Sequence, residues 1–185
     1  WASFLGTMGH AGFSEMLEWA DAGSGRYASE MRLTFPSKHV PHGTTDAIDR
    51  TLMYVGDFKF MGQWSLDKLK TEGPSPTYRV QAHSYAFAAS LRGETVKHVA
   101  IIGLPRDKSS LDDMYVWTEP YNPQIARDAL ARVDRIAADV DYKRDHLTEA
   151  HEIAETFPID ASDCRFCPFH KPNSSNLEWG CNGRD

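Results

Sequence analysis

The chain has 185 residues, 41% hydrophobic and 25% charged, with a net charge of −6 and a pI near 5.7. That is the composition of an ordinary globular domain large enough to bury a core. It argues against a protein that coats nucleic acid through bulk positive charge. No run approaches the roughly eighteen apolar residues that span a bilayer.

Residues 7–20 read as a helix, with Met8, Ala11, Met16, Leu17 and Ala20 at helical spacing, ended by Gly23-Ser24-Gly25. Residues 28–35 alternate as a strand that Pro36 stops. Residues 44–49 and 52–60 are two more strands, joined by a tight turn at Asp49-Arg50. The stretch 61–76 holds Gly62, Gly73, Pro74 and Pro76 and reads as a loop, with Lys68 and Lys70 on it. Thr77 to about Leu91 is a second helix with Gly93 as its stop. The apolar, β-branched run 96–104 suits a buried strand, and 113–118 makes another. Asn122-Pro123 opens a long helix whose apolar stripe runs from Ala126 through Leu130 and Val133 to Val140, continuing or restarting to about residue 156. The expected class is α/β (α+β), a mixed sheet flanked by helices. Residues 1–160 form its core, and 161–185 a cysteine-rich segment packed on the same domain. The chain opens on Trp1 rather than Met and reads as a trimmed piece of a longer protein. No segment looks like a secretory signal, so a cytoplasmic setting is expected.

Residues two apart in a strand share a face, so Asp57 and Lys59 point the same way. Asp46, on the preceding strand, faces the same place. Two carboxylates from paired strands attract a hard cation such as Mg²⁺ or Mn²⁺. A lysine beside them can orient or deprotonate water, or offset charge on a phosphorane. Asp-x-Lys alone is common, but here it interrupts an apolar strand, Leu52 to Phe60, where burial without a purpose is costly. His10 adds an imidazole, a good ligand for Mn²⁺. Gln81 and Tyr85 are four apart and share a helix face, where both can hydrogen-bond beside a scissile phosphate.

In order along the chain stand Gly6-x-x-x-His10, Gly43-x-x-Asp46, Asp57-x-Lys59 and Gln81-x-x-x-Tyr85. With these four motifs the chain resembles the PD-(D/E)XK nuclease superfamily in its RecB-like branch, which includes CRISPR-associated and phage recombination exonucleases. The likeness covers residues 6 to about 104 and implies an αβββαβ restriction-endonuclease-like core. It implies that His10, Asp46, Asp57 and the carbonyl of Phe58 hold the metal. Lys59 would then be the catalytic lysine, and Gln81 and Tyr85 would position it or the DNA. Glu30 matches an acidic position of some members.

Cys164-x-x-Cys167-Pro-Phe-His170, followed by Cys181, is dense in soft ligands. An odd number of cysteines crowded at one end speaks for metal ligation over a disulfide framework. Two ligand schemes compete. Three cysteines hold a 4Fe–4S cluster, or the three with His170 complete a tetrahedral Zn²⁺ site. RecB-like iron–sulfur members resemble the first scheme, but their fourth cysteine precedes the core, where this chain has none. Either metal would staple the segment.

The expected activity is therefore a Mg²⁺- or Mn²⁺-dependent DNA exonuclease acting on single-stranded DNA or duplex ends. By resemblance it belongs to phage or bacterial recombination or repair, with a helicase or other recombination protein as partner. Two rivals remain. One is a catalytically silent DNA-binding accessory of a helicase or integrase, and the other a zinc-ribbon interaction module.

Overall fold

In a computed structural model, which describes residues 2–108, 110–147, 149–158, 164 and 167–183, the chain forms two compact units, Trp1–Val133 and Asp134–Asp185. The boundary falls earlier than the 160/161 division read from the sequence.

The first unit is built on a five-stranded sheet with spatial order β1-β2-β3-β4-β5. Its strands are β1 (Tyr27–Thr34), β2 (His42–Asp49), β3 (Tyr54–Met61), β4 (His98–Pro105) and β5 (Tyr115–Pro120). The pairings are antiparallel except β3 with β4, which is parallel. A parallel pair needs a crossover, and here α2 (Gln63–Glu72) and α3 (Pro76–Leu91) supply it. β4 is buried from Val99 to Pro105, as its unbroken apolar run requires of a strand covered on both faces.

Strand alternation sorts the core into two layers. Ile48, Val55, Met61, Val99 and Ile101 pack with Leu66 and Leu69 of α2 and Ala82, Ala86 and Ala89 of α3. Ala47, Phe58, Ala100, Ile102 and Leu104 pack with Phe13 and Leu17 of α1 (Ala2–Asp21). Ile101 and Leu104 are wholly enclosed, each worth about 1.5–3 kcal/mol of burial. Three glycines, Gly6, Gly9 and Gly12, make α1 a poor helix on propensity. Packing holds it, because the bare Cα of Gly9 lets the helix settle on the Phe60 ring where a β-carbon would collide.

The expected loop over 61–76 is instead mostly the helix α2, carrying Lys68 and Lys70. Gly62 and Gly73 lie just outside it as its caps rather than inside a loop. The third strand begins at Tyr54, not at residue 52: residues 50–53 form the turn, with Met53 at φ +56°. Asp49 builds that turn. Its buried carboxylate accepts from the backbone N–H of Thr51 and Leu52 at 2.8 Å each and from Arg26 at 2.7 Å. His83 of α3 is fully buried; its Nδ1 accepts from the Asn122 N–H at 3.2 Å, which leaves Nε2 as donor to Glu119, 2.6 Å away.

α4 (Pro123–Arg144) ends in the second unit, where α5 (Ala150–Ala154) follows as a restart with a Glu149–Glu152 capping box. Lys143 pairs with Asp139 at 2.7 Å and Arg144 with Asp141 at 3.5 Å. Among the described residues, no helix is long and apolar enough to cross a membrane.

Candidate active site

β2 and β3 pair from Asp49↔Tyr54 only as far as Ala47↔Gly56. The next rung would set Asp46 opposite Asp57, and there the strands part. A backbone N–H released by such a fork needs another acceptor. For Phe58 it is the Asp46 carboxylate, whose Oδ2 accepts at 2.7 Å. Two acids thus stand side by side where the sheet opens, Asp46 9% and Asp57 2% exposed.

α1 brings His10 to the fork, with Nδ1 3.1 Å from Asp46 Oδ1. The imidazole lies edge-on to Phe58 and tilted against Phe60. β1 brings Glu30. The register runs Ser29↔Ala47 and Met31↔Thr45, so Glu30 stands opposite Asp46. Its backbone is left-handed, φ +47°, in mid-strand, a conformation that costs a non-glycine residue about 1–3 kcal/mol. One ligand atom each from His10, Glu30 and Asp46 lie within 4.8 Å of one another. With Gly6, Thr7 and Ser14 these residues line an open cleft of about 740 Å³.

Lys59 lies on the other side of Asp57. Its Nζ lies 2.6 Å from Asp57 Oδ2, donates to Gln81 Oε1 at 3.1 Å, and sits 4.7 Å from the centre of the Tyr78 ring. Gln81 in turn donates through Nε2 to the Tyr85 hydroxyl at 3.1 Å. Tyr85 stacks on Phe35, and Gly43 makes room for it: a β-carbon there would come within 2.7 Å of its ring. Asp57 Oδ2 is thus buried against the Lys59 ammonium as an ion pair.

The electrostatics follow from this geometry. Burial, and then the neighbouring Asp57 charge, push Asp46 up to about 6, against the opposing pull of the Phe58 N–H. Burial also raises Asp57, with Lys59 pulling the other way. Asp46, Asp57 and Glu30 offer three negative charges against the single positive charge of Lys59. The donor set is oxygen-rich with one imidazole. Those features fit a hard divalent cation.

Of the residues singled out in the sequence, the fork gathers His10, Glu30, Asp46, Asp57, Lys59, Gln81 and Tyr85. The close group of three contains Glu30, whereas Asp57 leans to Lys59. Phe58 touches the site through its N–H, which is what orients Asp46. Sequence reasoning missed Tyr78. Its spacing of three and seven from Gln81 and Tyr85 respectively was the available signal, since all three lie on one stripe of α3.

In the second unit, Cys164, Cys167, His170 and Cys181 lie in a chain of short turns. Cys167 N–H donates to Cys164 O, His170 N–H to Cys167 O, and Lys171 N–H to Cys181 O, at 3.2, 3.1 and 2.7 Å. A single bridge pairs His170 with Cys181. A β-carbon on Gly183 would lie 2.8 Å from Cys164 Sγ and 3.3 Å from His170 Nε2, and the Gly183 N–H donates to Cys181 Sγ at 3.4 Å. Three of the four candidate ligands therefore surround one glycine. Among the described residues, no three of these ligand atoms lie within 4.8 Å of one another.

No protein family and no curated protein matches the chain. Among solved structures, it is similar to the crystal structure of SSO0001, with a TM-score of 0.50 and 18% identity over 91% of this chain and 67% of that one. At that identity the likeness speaks for the fold alone: a mixed α/β architecture with a five-stranded mixed sheet flanked by helices.

Proposed function

We propose that the chain is a metal-dependent DNA exonuclease of the PD-(D/E)XK, RecB-like kind. The reading rests on one observation. Asp46, Asp57 and Lys59 meet where β2 and β3 part, with His10 and Glu30 on one side and Gln81 and Tyr85 on the other. His10, Glu30, Asp46, Asp57 and the Phe58 carbonyl are the groups that would hold Mg²⁺ or Mn²⁺. When bound, such an ion acidifies water and draws charge from a phosphoryl oxygen. Lys59 keeps a proton at Nζ and presents it to charge developing on the phosphate. Gln81 fixes the direction of that ammonium, and Tyr85 fixes Gln81. Phe58, through its N–H, holds the Asp46 carboxylate in one rotamer. A bacterial or phage recombination or repair setting, with a helicase or similar partner, goes with this reading.

We propose further that the second unit carries a soft metal centre. A 4Fe–4S cluster on Cys164, Cys167 and Cys181 is the reading carried by resemblance. Zn²⁺ on those thiolates and His170 is the rival, and the crowding of His170 Nε2 and Cys164 Sγ about Gly183 speaks for it. Iron and acid-labile sulfide, or one zinc per chain, separate the two.

The test of the nuclease reading is degradation of end-labelled single- and double-stranded DNA with Mg²⁺, Mn²⁺ or EDTA. Cleavage that needs both the metal and Lys59 is the expected result. No cleavage by folded, metal-replete protein would remove the enzyme and leave the DNA-binding accessory.

A further inference from the structure

The helix that replaced the expected loop carries a side chain the core does not use. Trp64 of α2 is 75% exposed. Lys68, one turn on, holds its ammonium 5.5 Å from the centre of that indole. Between α2 and the start of α3 lies a groove of about 580 Å³, whose lining includes Phe60, Trp64, Lys68, Glu72, Tyr78 and Arg106. Arg106 lines it beside Gly62, whose absent β-carbon would sit 3.4 Å from Nη2. Lys68 also pairs with Glu72, loosely, at 3.7 Å. The groove is not remote from the fork, since Tyr78 belongs to both: one of its surroundings is this groove, and its ring is 4.7 Å from Lys59 Nζ.

Aromatic faces interleaved with cations suit a ligand that is flat, apolar on its faces and anionic along one edge. A nucleotide of a polynucleotide strand has that chemistry. A base inside a duplex has both faces covered by its neighbours and cannot stack on an indole. We infer that the α2–α3 groove is a subsite for an unpaired nucleotide of DNA, stacked on Trp64 with its phosphate toward Lys68 or Arg106, next to the bond that Lys59 serves. This inference rests on the nuclease reading for its purpose, but not for its physics. It makes the substrate a single strand, or a duplex whose end is frayed by about a nucleotide.

The test is binding, kept apart from cleavage. Fluorescence anisotropy would compare a short labelled oligo(dT), an abasic strand of equal length and a blunt two-strand GC-rich duplex, with the full chain in EDTA. Trp64→Ala should weaken oligo(dT) about tenfold and leave the abasic strand unchanged, because base stacking is the contact removed. Trp64→Phe should recover most of the loss. The duplex should bind more weakly than oligo(dT). Equal loss on the abasic strand, no loss on oligo(dT), or a duplex bound as well as the single strand would each overturn the subsite. Lys59-dependent cleavage of duplex alone would also overturn it while sparing the nuclease. Trp64-dependent stacking without any metal-dependent cleavage would do the reverse.

Discussion

The fork between β2 and β3 and the cysteine segment both collect side chains of metal-binding types, and they do it by opposite means. His10, Glu30, Asp46 and Asp57 come from four elements of the first unit. The sheet and α1 hold them together whether or not an ion is present; the Asp46 and Asp57 carboxylates sit against burial, and Asp46 also against the Asp57 charge. Cys164, Cys167, His170 and Cys181 span one short stretch closed by local turns, and among the described residues none of that stretch belongs to a buried hydrophobic cluster. A site assembled over long range is preformed and carries electrostatic strain. A site assembled locally depends on its ion for order.

Four variants would break or sharpen that contrast. The largest effect is expected of Lys59→Ala, which should lower the rate of DNA cleavage by about a hundredfold to a thousandfold. Thermal unfolding should move to lower temperature, because buried Asp57 loses its ion-pair partner, while C-terminal metal content should stay as it is. A loss of metal from the second unit in this variant would mean that the two sites are not independent.

Next comes Cys181→Ser. It should abolish the iron or zinc retained after gel filtration and raise amide exchange across 164–183. Residues of β3 and β4 should keep their protection. If exchange in the segment is unchanged, the turns alone hold it and the contrast fails.

Asp46→Asn probes the strain. The folded carboxyl titrates at about 6 against an ordinary 3.8, so between those values the folded state binds the extra proton. Its contribution is present in acid and lost as pH rises through about 6. Metal-free Asp46→Asn should therefore gain roughly 1–3 kcal/mol over wild type at pH 7. The gain should vanish below about pH 4, the unfolded range. Chemical denaturation at the two pH values checks it, and Mn²⁺ binding should be lost in the same variant. A destabilised Asp46→Asn at neutral pH would mean that the Phe58 hydrogen bond outweighs the charge.

Gln81→Ala should have the smallest effect, about a tenfold lower rate, the worth of one hydrogen bond to a charged group. A drop as large as that of Lys59→Ala would promote Gln81 from positioning to direct contact with substrate.

How much of this was legible in the sequence depends on range. The strands and α3 announced themselves by period, and Asp57 with Lys59 by the two-residue rule. Gly62, Gly73, Pro74 and Pro76 hid α2, because the residues that punctuate a loop are the same ones that cap a short helix. The fork was not legible. β2 and β3 pair over three rungs and then diverge, and Phe58 and Phe60 of β3 pack on Phe13 and Gly9 of α1. No local pattern reports such a contact. For the same reason Glu30 reached the page only by resemblance, and Tyr78 not at all.

Glu30 carries one more implication. A left-handed backbone in the middle of a strand suits glycine or asparagine. Either of those two would relieve the chain at once. The strain falls at the one rung facing Asp46, so Glu30→Gly should hold the fold more firmly while taking a carboxylate away from the fork.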